Sequence, residues 1–264
     1  MQEQWKLALN NELWENGHFI TDAVLLKSVP NGDYNRLLYF LSPLAGIETC
    51  FAFGAQKIKS RFCSATQPFT MLRLFLRRDK KTGLIGVKDV ADIVTPKVVR
   101  INLRAVYQLS FYSQILLHTP MEPSDYKKYY YLMKYSIELI DMENGLEKSL
   151  MFFLSKLAVL HGQSMAASYC RECGNLKRYN EMYYSVGAWG FFCREHLSGA
   201  DSGIFKIDAE DAAVMDFYST AKFMAISTSS FKLRNSVLAA KILIDIINKI
   251  YSGTIRREWY ENLI

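Results

Sequence analysis

Between Phe19 and Ile93 the apolar residues of this chain fall into short runs, and past Thr95-Pro96 they recur every three or four residues instead. That change of period constrains the fold more than any other feature. Phe19–Lys27, Leu37–Leu41, Ile47–Phe53, Phe69–Leu76 and Leu84–Ile93 read as strands. Asn31-Gly32-Asp33, the stretch from Pro43 to Gly46, a basic segment after Phe53 and the stretch from Asp79 to Gly83 separate them as turns or loops. Five short strands in about eighty residues fit a small closed barrel. The OB-fold is the commonest five-stranded barrel that binds oligonucleotides, and an SH3-like barrel gives a similar pattern.

The second half reads as helical. Ile101, Ala105, Leu109, Tyr112 and Leu116 share a helix face, and Pro120 and Pro123 close that helix. Tyr126 to Ile140, Leu146 to Gly162, Asp208 to Ile226 and Leu233 to Tyr251 continue in the same mode, with acidic residues opening the third of these where the helix dipole favours them. Residues 1 to about 17 read as a further short helix, with Trp5, Leu9 and Leu13 spaced by four and Gly17 as a stop. The expected fold class is therefore multidomain β + α. Residues 1–18 are expected to form a helical extension, 19–95 a five-stranded barrel of the OB-fold or SH3-like kind, and 96–264 an α-helical bundle with a loop-rich insert at about 168–205. Tyr129, Tyr130, Tyr131, Tyr135, Phe152 and Phe153 lie within the helical period, which assigns them to packing rather than to base stacking.

Half of the residues are hydrophobic, enough for a real core and against a disordered tail. The longest apolar run near the end, VLAAKILIDII, is broken by Lys241 and Asp245 and is too short to span a bilayer. The N-terminal residues lack a basic start, an apolar centre and a small-residue cleavage site. Those features point to a cytoplasmic protein without a membrane partner. In that compartment five cysteines do not suggest disulfides, and Cys50 and Cys63, in apolar surroundings, read as ordinary thiols.

Charge is concentrated in one region. From Lys57 to Arg104 there are twelve Lys or Arg against three Asp, a net +9, whereas the whole chain carries +6, so the remainder sums to −3. A field gathered in this way steers polyanions, of which nucleic acid is the foremost candidate, ahead of an acidic protein or an anionic membrane surface. In the segment GAQKIKSRFCSATQPF, Lys57, Lys59 and Arg61 alternate with Ile58, Ser60 and Phe62. On extended backbone the three cations would project together and the other three residues oppositely, a spacing suited to a phosphate backbone. Arg36, Arg73, Arg77, Arg78, Lys80, Lys81 and Lys27 would support them. Lys27 could equally pack on a barrel face, and Arg36 could pair with Asp33 in a turn.

The remaining cysteines cluster. Cys170 and Cys173 form C-x-x-C, followed by Gly174, and Cys193 and His196 form C-x-x-H downstream. Two half-sites at this separation have the spacing of zinc ligands, with Gly174 relieving the backbone of the first turn. Four protein ligands leave no open position for water, which favours one structural Zn2+ over a catalytic one. No βαβ pattern surrounds the C-x-x-C to suggest redox chemistry, and the H-x-E of zinc deaminases is missing.

From Phe19 to about Leu76 the chain resembles the RecO family of bacterial recombination mediators. The family's opening strand with its Lys, acidic-x-x-Arg turn, glycine-basic loop, Ser-Arg-Phe and Gln-Pro-Phe appear in order as Lys27, Asp33 to Arg36, Lys57 to Lys59, Ser60-Arg61-Phe62 and Gln67-Pro68-Phe69. The resemblance implies an N-terminal OB-fold, a C-terminal helical domain with a zinc-binding insert, and no catalytic centre. It also implies binding of single- and double-stranded DNA, annealing of complementary strands without nucleotide hydrolysis, contact with single-strand-binding protein, and, together with RecR, help in loading RecA onto coated strands. Gln56 stands where a basic residue is common in the family, and His196 where a fourth cysteine is usual. Two other readings remain open from the residues alone: a metal-dependent nucleic-acid enzyme, which would need clustered carboxylates, and an adaptor that binds only proteins through its helical half.

Overall fold

A computed structural model of the chain describes residues 14–142, 144–163, 169–174, 181–197 and 203–263. Most of the helix expected over residues 1 to 17 lies outside the described residues. Trp14 to Gly17 are described, and instead of helix they form a turn closed by a bridge between Glu15 and His18.

Strands β1 (His18–Asn31), β2 (Asn35–Ser42), β3 (Gly46–Ala52), β4 (Met71–Arg78) and β5 (Ile85–Val94) close into a barrel in the order β1-β2-β3-β5-β4. This is the five-stranded OB-type closure. The long β1 serves two neighbours: its first half pairs with β4 and its second with β2, and an irregularity between Leu25 and Lys27 bends it between them. All pairings are antiparallel except β3–β5, which meet in parallel through Phe51 and Gly86.

Alternation decides what faces inward. In β4 the sequence MLRLFLRR buries Leu72, Leu74 and Leu76 and turns Arg73 and Arg77 outward. These leucines join Phe19, Ala23, Leu25, Leu38, Phe40, Cys50, Ala52 and Val87 in the barrel core. Gly46 has a positive φ, and a side chain there would run into the ring of Tyr126, so glycine is required on two counts.

A one-turn helix α1 (Phe62–Ala65) lies between β3 and β4. After the barrel come α2 (Leu103–Leu117), α3 (Tyr126–Ile140) and α4 (Gly145–Leu160); strands β6 (Glu181–Ser185), β7 (Gly190–Phe192) and β8 (Ile204–Asp208); and helices α5 (Ala209–Thr220), α6 (Phe223–Thr228) and α7 (Ser236–Ile250). The chain divides into two compact units, Met1–Leu103 with Leu109–Ile137, and Arg104–Gln108 with Glu138–Ile264. In the second, α4 packs on α5 and α7.

Two expectations need correction. The insert is more than loop, because β7, β6 and β8 form a three-stranded antiparallel sheet. The helix expected from Asp208 to Ile226 is two helices, broken by extended backbone at Ala221 and Lys222. Before the break the hydroxyls of Ser219 and Thr220 donate to the carbonyl of Asp216, the local bonding by which such residues end helices. The acidic start of α5 is as expected: Asp208 caps it, accepting from the Glu210 amide at 2.8 Å. Tyr129, Tyr130, Phe152 and Phe153 are buried, while Tyr131 and Tyr135 stack half-buried, 5.4 Å between ring centroids.

Candidate functional site

The basic segment between β3 and β4 is not extended. Gly54 to Arg61 is a chain of turns, in which the amide of Lys57 donates to Gly54, that of Ser60 to Lys57 and that of Cys63 to Ser60. The strict alternation expected for Lys57, Lys59 and Arg61 therefore fails. Ile58, expected to point away from the cations, stands beside them in solvent at 94% exposure. Phe62 instead packs on the barrel core, and the Ser60 hydroxyl accepts from the Phe62 amide at the start of α1.

The loop is held to the β1–β2 turn by polar contacts. The Gln56 amide nitrogen donates to the carbonyls of Gly32 and Asn35, both at 2.8 Å, its backbone N–H donates to Tyr34, and Gly54 donates to the Asn35 side chain. This gives Gln56 a structural reason: a lysine or arginine would keep donors but could not offer the same compact amide between two carbonyls.

Two classes of cation emerge on this barrel. Arg61 is bound to Asp89 at 3.0 Å and to the carbonyl of Lys88, and Arg73 to both Asp22 and Asp92 at 2.9 and 3.2 Å. Arg78 lies 4.5 Å over the Trp14 ring, and Arg36 donates to the Ser28 hydroxyl rather than to Asp33. By contrast Lys27, Lys57, Lys59, Lys80 and Lys81 are exposed and form no ion pair with a carboxylate among the described residues, while Arg77, also exposed, acts on the Asp79 carboxyl through its charge. Lys57 rests 4.8 Å over the ring of Tyr34, and Lys27 lies 5.7 Å from that of Tyr39. Lys80 and Lys81 stand on a turn that Asp79 organises by accepting from Lys81 and Thr82. The Thr82 and Lys81 amides hold the Asp79 carboxyl below the usual carboxylate range.

One buried ionisable group inside the same barrel escaped sequence reading. Glu48 shares a strand face with Cys50 and Ala52 and is buried, and its Oε2 has no hydrogen-bond partner among the described residues. Burial pushes its carboxyl up to about 8, against the opposing influence of the Thr49 amide and the Arg78 charge. The only signal in the sequence was an acidic residue on the inward parity of an apolar strand.

The second cluster is a thiol–imidazole site. Cys170, Cys173, Cys193 and His196 bring their ligand atoms within 4.8 Å of one another. Sγ of Cys193 lies 3.0 Å from Nδ1 of His196, Sγ of Cys170 3.8 Å from the same nitrogen, and Sγ of Cys173 4.0 Å from that of Cys193. Gly174 carries the expected positive φ, its amide closing a turn back to Cys170. Burial opposes ionisation of Cys170, but amides of Cys173, Cys193 and Glu172 aim at its sulfur and lower it to about 6. Thiolates and imidazole in this compass can hold one metal ion. The hairpin joining β6 to β7 is fixed nearby: Lys249 donates to the carbonyls of Val186 and Gly187, and Arg171 to those of Ala188 and Trp189. Trp189 keeps a left-handed backbone there beneath Lys249.

No described helix is long and apolar enough to cross a membrane. Residues 18–95 match the family described as "Recombination protein O N terminal". The chain is similar to the DNA repair protein RecO of Exiguobacterium sibiricum, 26% identical with 88% of this chain and 91% of that one covered. It is similar to that of Oceanobacillus iheyensis, 22% identical with 88% of each covered, and to that of Desulfosudis oleivorans, 23% identical with 69% and 72% covered.

Proposed function

Because the chain belongs to the RecO family, and so has a role in DNA repair and recombination, we propose that it binds single- and double-stranded DNA through its barrel and anneals complementary strands. In this reading RecR and single-strand-binding protein are its partners, and it helps to load RecA onto coated single strands. These partners follow from the family resemblance. The observation that carries DNA binding is the set of exposed lysines with no ion pair to a carboxylate among the described residues, Lys27, Lys57, Lys59, Lys80 and Lys81, on a barrel whose Arg61 and Arg73 are held by carboxylates.

Annealing brings two polyanions together. A surface that neutralises phosphates while leaving Watson–Crick edges free lowers their repulsion, and the cations it displaces from DNA make the binding salt-dependent. No bond is made or broken, so the reading assigns no catalytic residue. The cysteine cluster is proposed to hold one structural Zn2+, since three thiolates and an imidazole are a usual tetrahedral zinc set and leave no position for a reacting water. We place the protein in the cytoplasm, at the nucleoid during repair.

The test is annealing of two complementary labelled oligonucleotides without ATP across a salt series, with Lys57→Glu/Lys59→Glu beside the wild type. Acceleration that weakens with salt and is abolished in the variant is expected. No acceleration at low salt, with no DNA bound, would favour an adaptor that meets only proteins.

A further inference from the structure

The barrel exposes aromatic rings next to lysines that form no ion pair among the described residues. Tyr34, in the β1–β2 turn, is 57% exposed, and Phe53, just past β3, is 55% exposed. The Gln56–Tyr34 backbone bond and the Gly54–Asn35 contact fasten these two positions side by side. Phe53 stacks on the half-buried Phe51 with centroids 6.0 Å apart and ring planes 19° from parallel, and its edge covers Gly86, where any side chain would meet it at 3.1 Å. The register of β1, β2 and β3 continues this surface. Lys27 opposes Tyr39, and Leu37 opposes Phe51, all on the outer face, since Leu38, Phe40, Cys50 and Ala52 point inward.

A single exposed apolar residue means little, but Phe53 stacked on Phe51 at the sheet end, with the exposed Tyr34 ring in the adjoining turn under the Lys57 ammonium, forms a definite surface. Duplex DNA hides the faces of its bases and offers such rings nothing. A single strand offers a π-face at every base and a phosphate within reach of a neighbouring lysine. We propose that Tyr34 and Phe53 are a base-stacking platform that makes this face selective for single-stranded over duplex DNA, with Lys57 and Lys27 holding the backbone alongside. Ile58, standing free between Lys57 and Lys59, supplies an apolar contact to the adjacent base. This rests on the reading of the barrel as the DNA-binding unit and adds to it the form of DNA that is preferred.

The experiment compares binding of one labelled oligonucleotide, single-stranded or paired with its complement, to wild type, to Tyr34→Leu/Phe53→Leu and to Lys57→Glu/Lys59→Glu, over a salt series. Leucine keeps apolar packing against Phe51 and Gly86 while removing the rings, and an unchanged melting temperature confirms the fold. The leucine variant is expected to bind single strands about tenfold more weakly, with duplex affinity and salt slope unchanged. If it binds single strands like the wild type while the charge reversal weakens both forms, stacking is wrong and the DNA reading stands. If the wild type binds neither form, the DNA reading falls and stacking with it. Photocrosslinking of wild type to a strand carrying 5-iodouracil gives an independent readout. Crosslinks at Tyr34 or Phe53 are expected, and crosslinks confined to other peptides would overturn the platform.

Discussion

The barrel and the cysteine-bearing insert use their cations in opposite ways. In the insert, Arg171 spends its donors on the carbonyls of the β6–β7 hairpin, Lys249 of α7 reaches two more carbonyls of that hairpin, and the thiols and imidazole converge on one point. In the barrel, five strands close around an apolar core, and the ammonium groups of Lys57, Lys59, Lys80 and Lys81 form no ion pair among the described residues. A region that builds its fold from apolar burial can leave part of its charge, here the lysines rather than Arg61 and Arg73, outside the ion pairs that the fold makes. A region with short strands, β7 having only three residues, needs its polar groups for itself.

The largest expected effect breaks that comparison if it fails. If the cluster holds the proposed zinc, Cys193→Ser, or chelation of the wild type, should remove one equivalent of it and expose the amides of β6–β8 to rapid hydrogen exchange. Structural zinc in small sites is worth on the order of 10 kcal/mol, far more than a three-stranded sheet of this size supplies. Barrel amides such as those of Leu38 and Leu74 should stay protected. Loss of their protection at the same rate would mean that the two regions do not stand independently.

A second effect lies inside the barrel, where one ionisable group departs from the apolar rule. Glu48 has a folded-state pKa of about 8 against an ordinary value of 4.5. Between those values the unfolded chain has given up the proton and the folded one has kept it, so stability falls as pH rises through that window and levels off above it. Glu48→Gln should therefore be more stable than wild type at pH 8, by about 2 kcal/mol or more, and converge on it near pH 4.5. Denaturant midpoints at the two pH values measure this. A constant difference between the proteins would show that Glu48 is charged in the fold.

These effects also mark how far the sequence could be read. Strand segments, helical periods and the C-x-x-C/C-x-x-H pair were legible because each rests on local spacing: Leu72, Leu74 and Leu76 alternate, and Cys193 and His196 lie within one turn of chain. The conformation of Gly54–Arg61 was not, because it is set by Gln56 reaching residues more than twenty positions away. Nor could spacing tell a paired arginine from a free lysine. Asp89 finds Arg61, and Asp22 and Asp92 find Arg73, only once the sheet has formed. Tyr34 and Phe53 were invisible for the same reason, one belonging to a turn and the other to a strand end. The three-stranded sheet of the insert was missed because its strands are short and lie within the break of the helical pattern.

Charge reversal of Lys57 and Lys59 comes next in size. The pair should cost at least tenfold in DNA affinity and flatten the salt dependence, by roughly 0.7 in log–log slope for each phosphate of a single strand that is no longer neutralised. Arg61→Gln should do less, since its guanidinium already faces Asp89 and the Lys88 carbonyl. Anisotropy titrations at several salt concentrations separate the two. Equal effects would mean that DNA displaces Asp89 from Arg61, and the division between free and occupied cations would have to be redrawn.

The smallest effect is expected at Arg73, and it tests the same division from the other side. Its guanidinium lies between two carboxylates, Asp22 on β1 and Asp92 on β5, so the group of three carries a net negative charge even with the arginine present. The Asp22 hydrogen bond and charge, followed by Asp92, raise the arginine pKa further and keep it ionised. A phosphate approaching Arg73 would meet both carboxylates at the same range, and their repulsion offsets the attraction. Arg73→Gln should therefore change DNA affinity by less than about twofold and leave the salt slope unaltered, whereas Lys57→Gln should lower both. The sequence counts these two residues alike in a basic stretch of net +9. If Arg73→Gln weakened binding as much as Lys57→Gln, the field of the whole region rather than its free cations would be what holds DNA, and the position of each lysine would matter less than their sum.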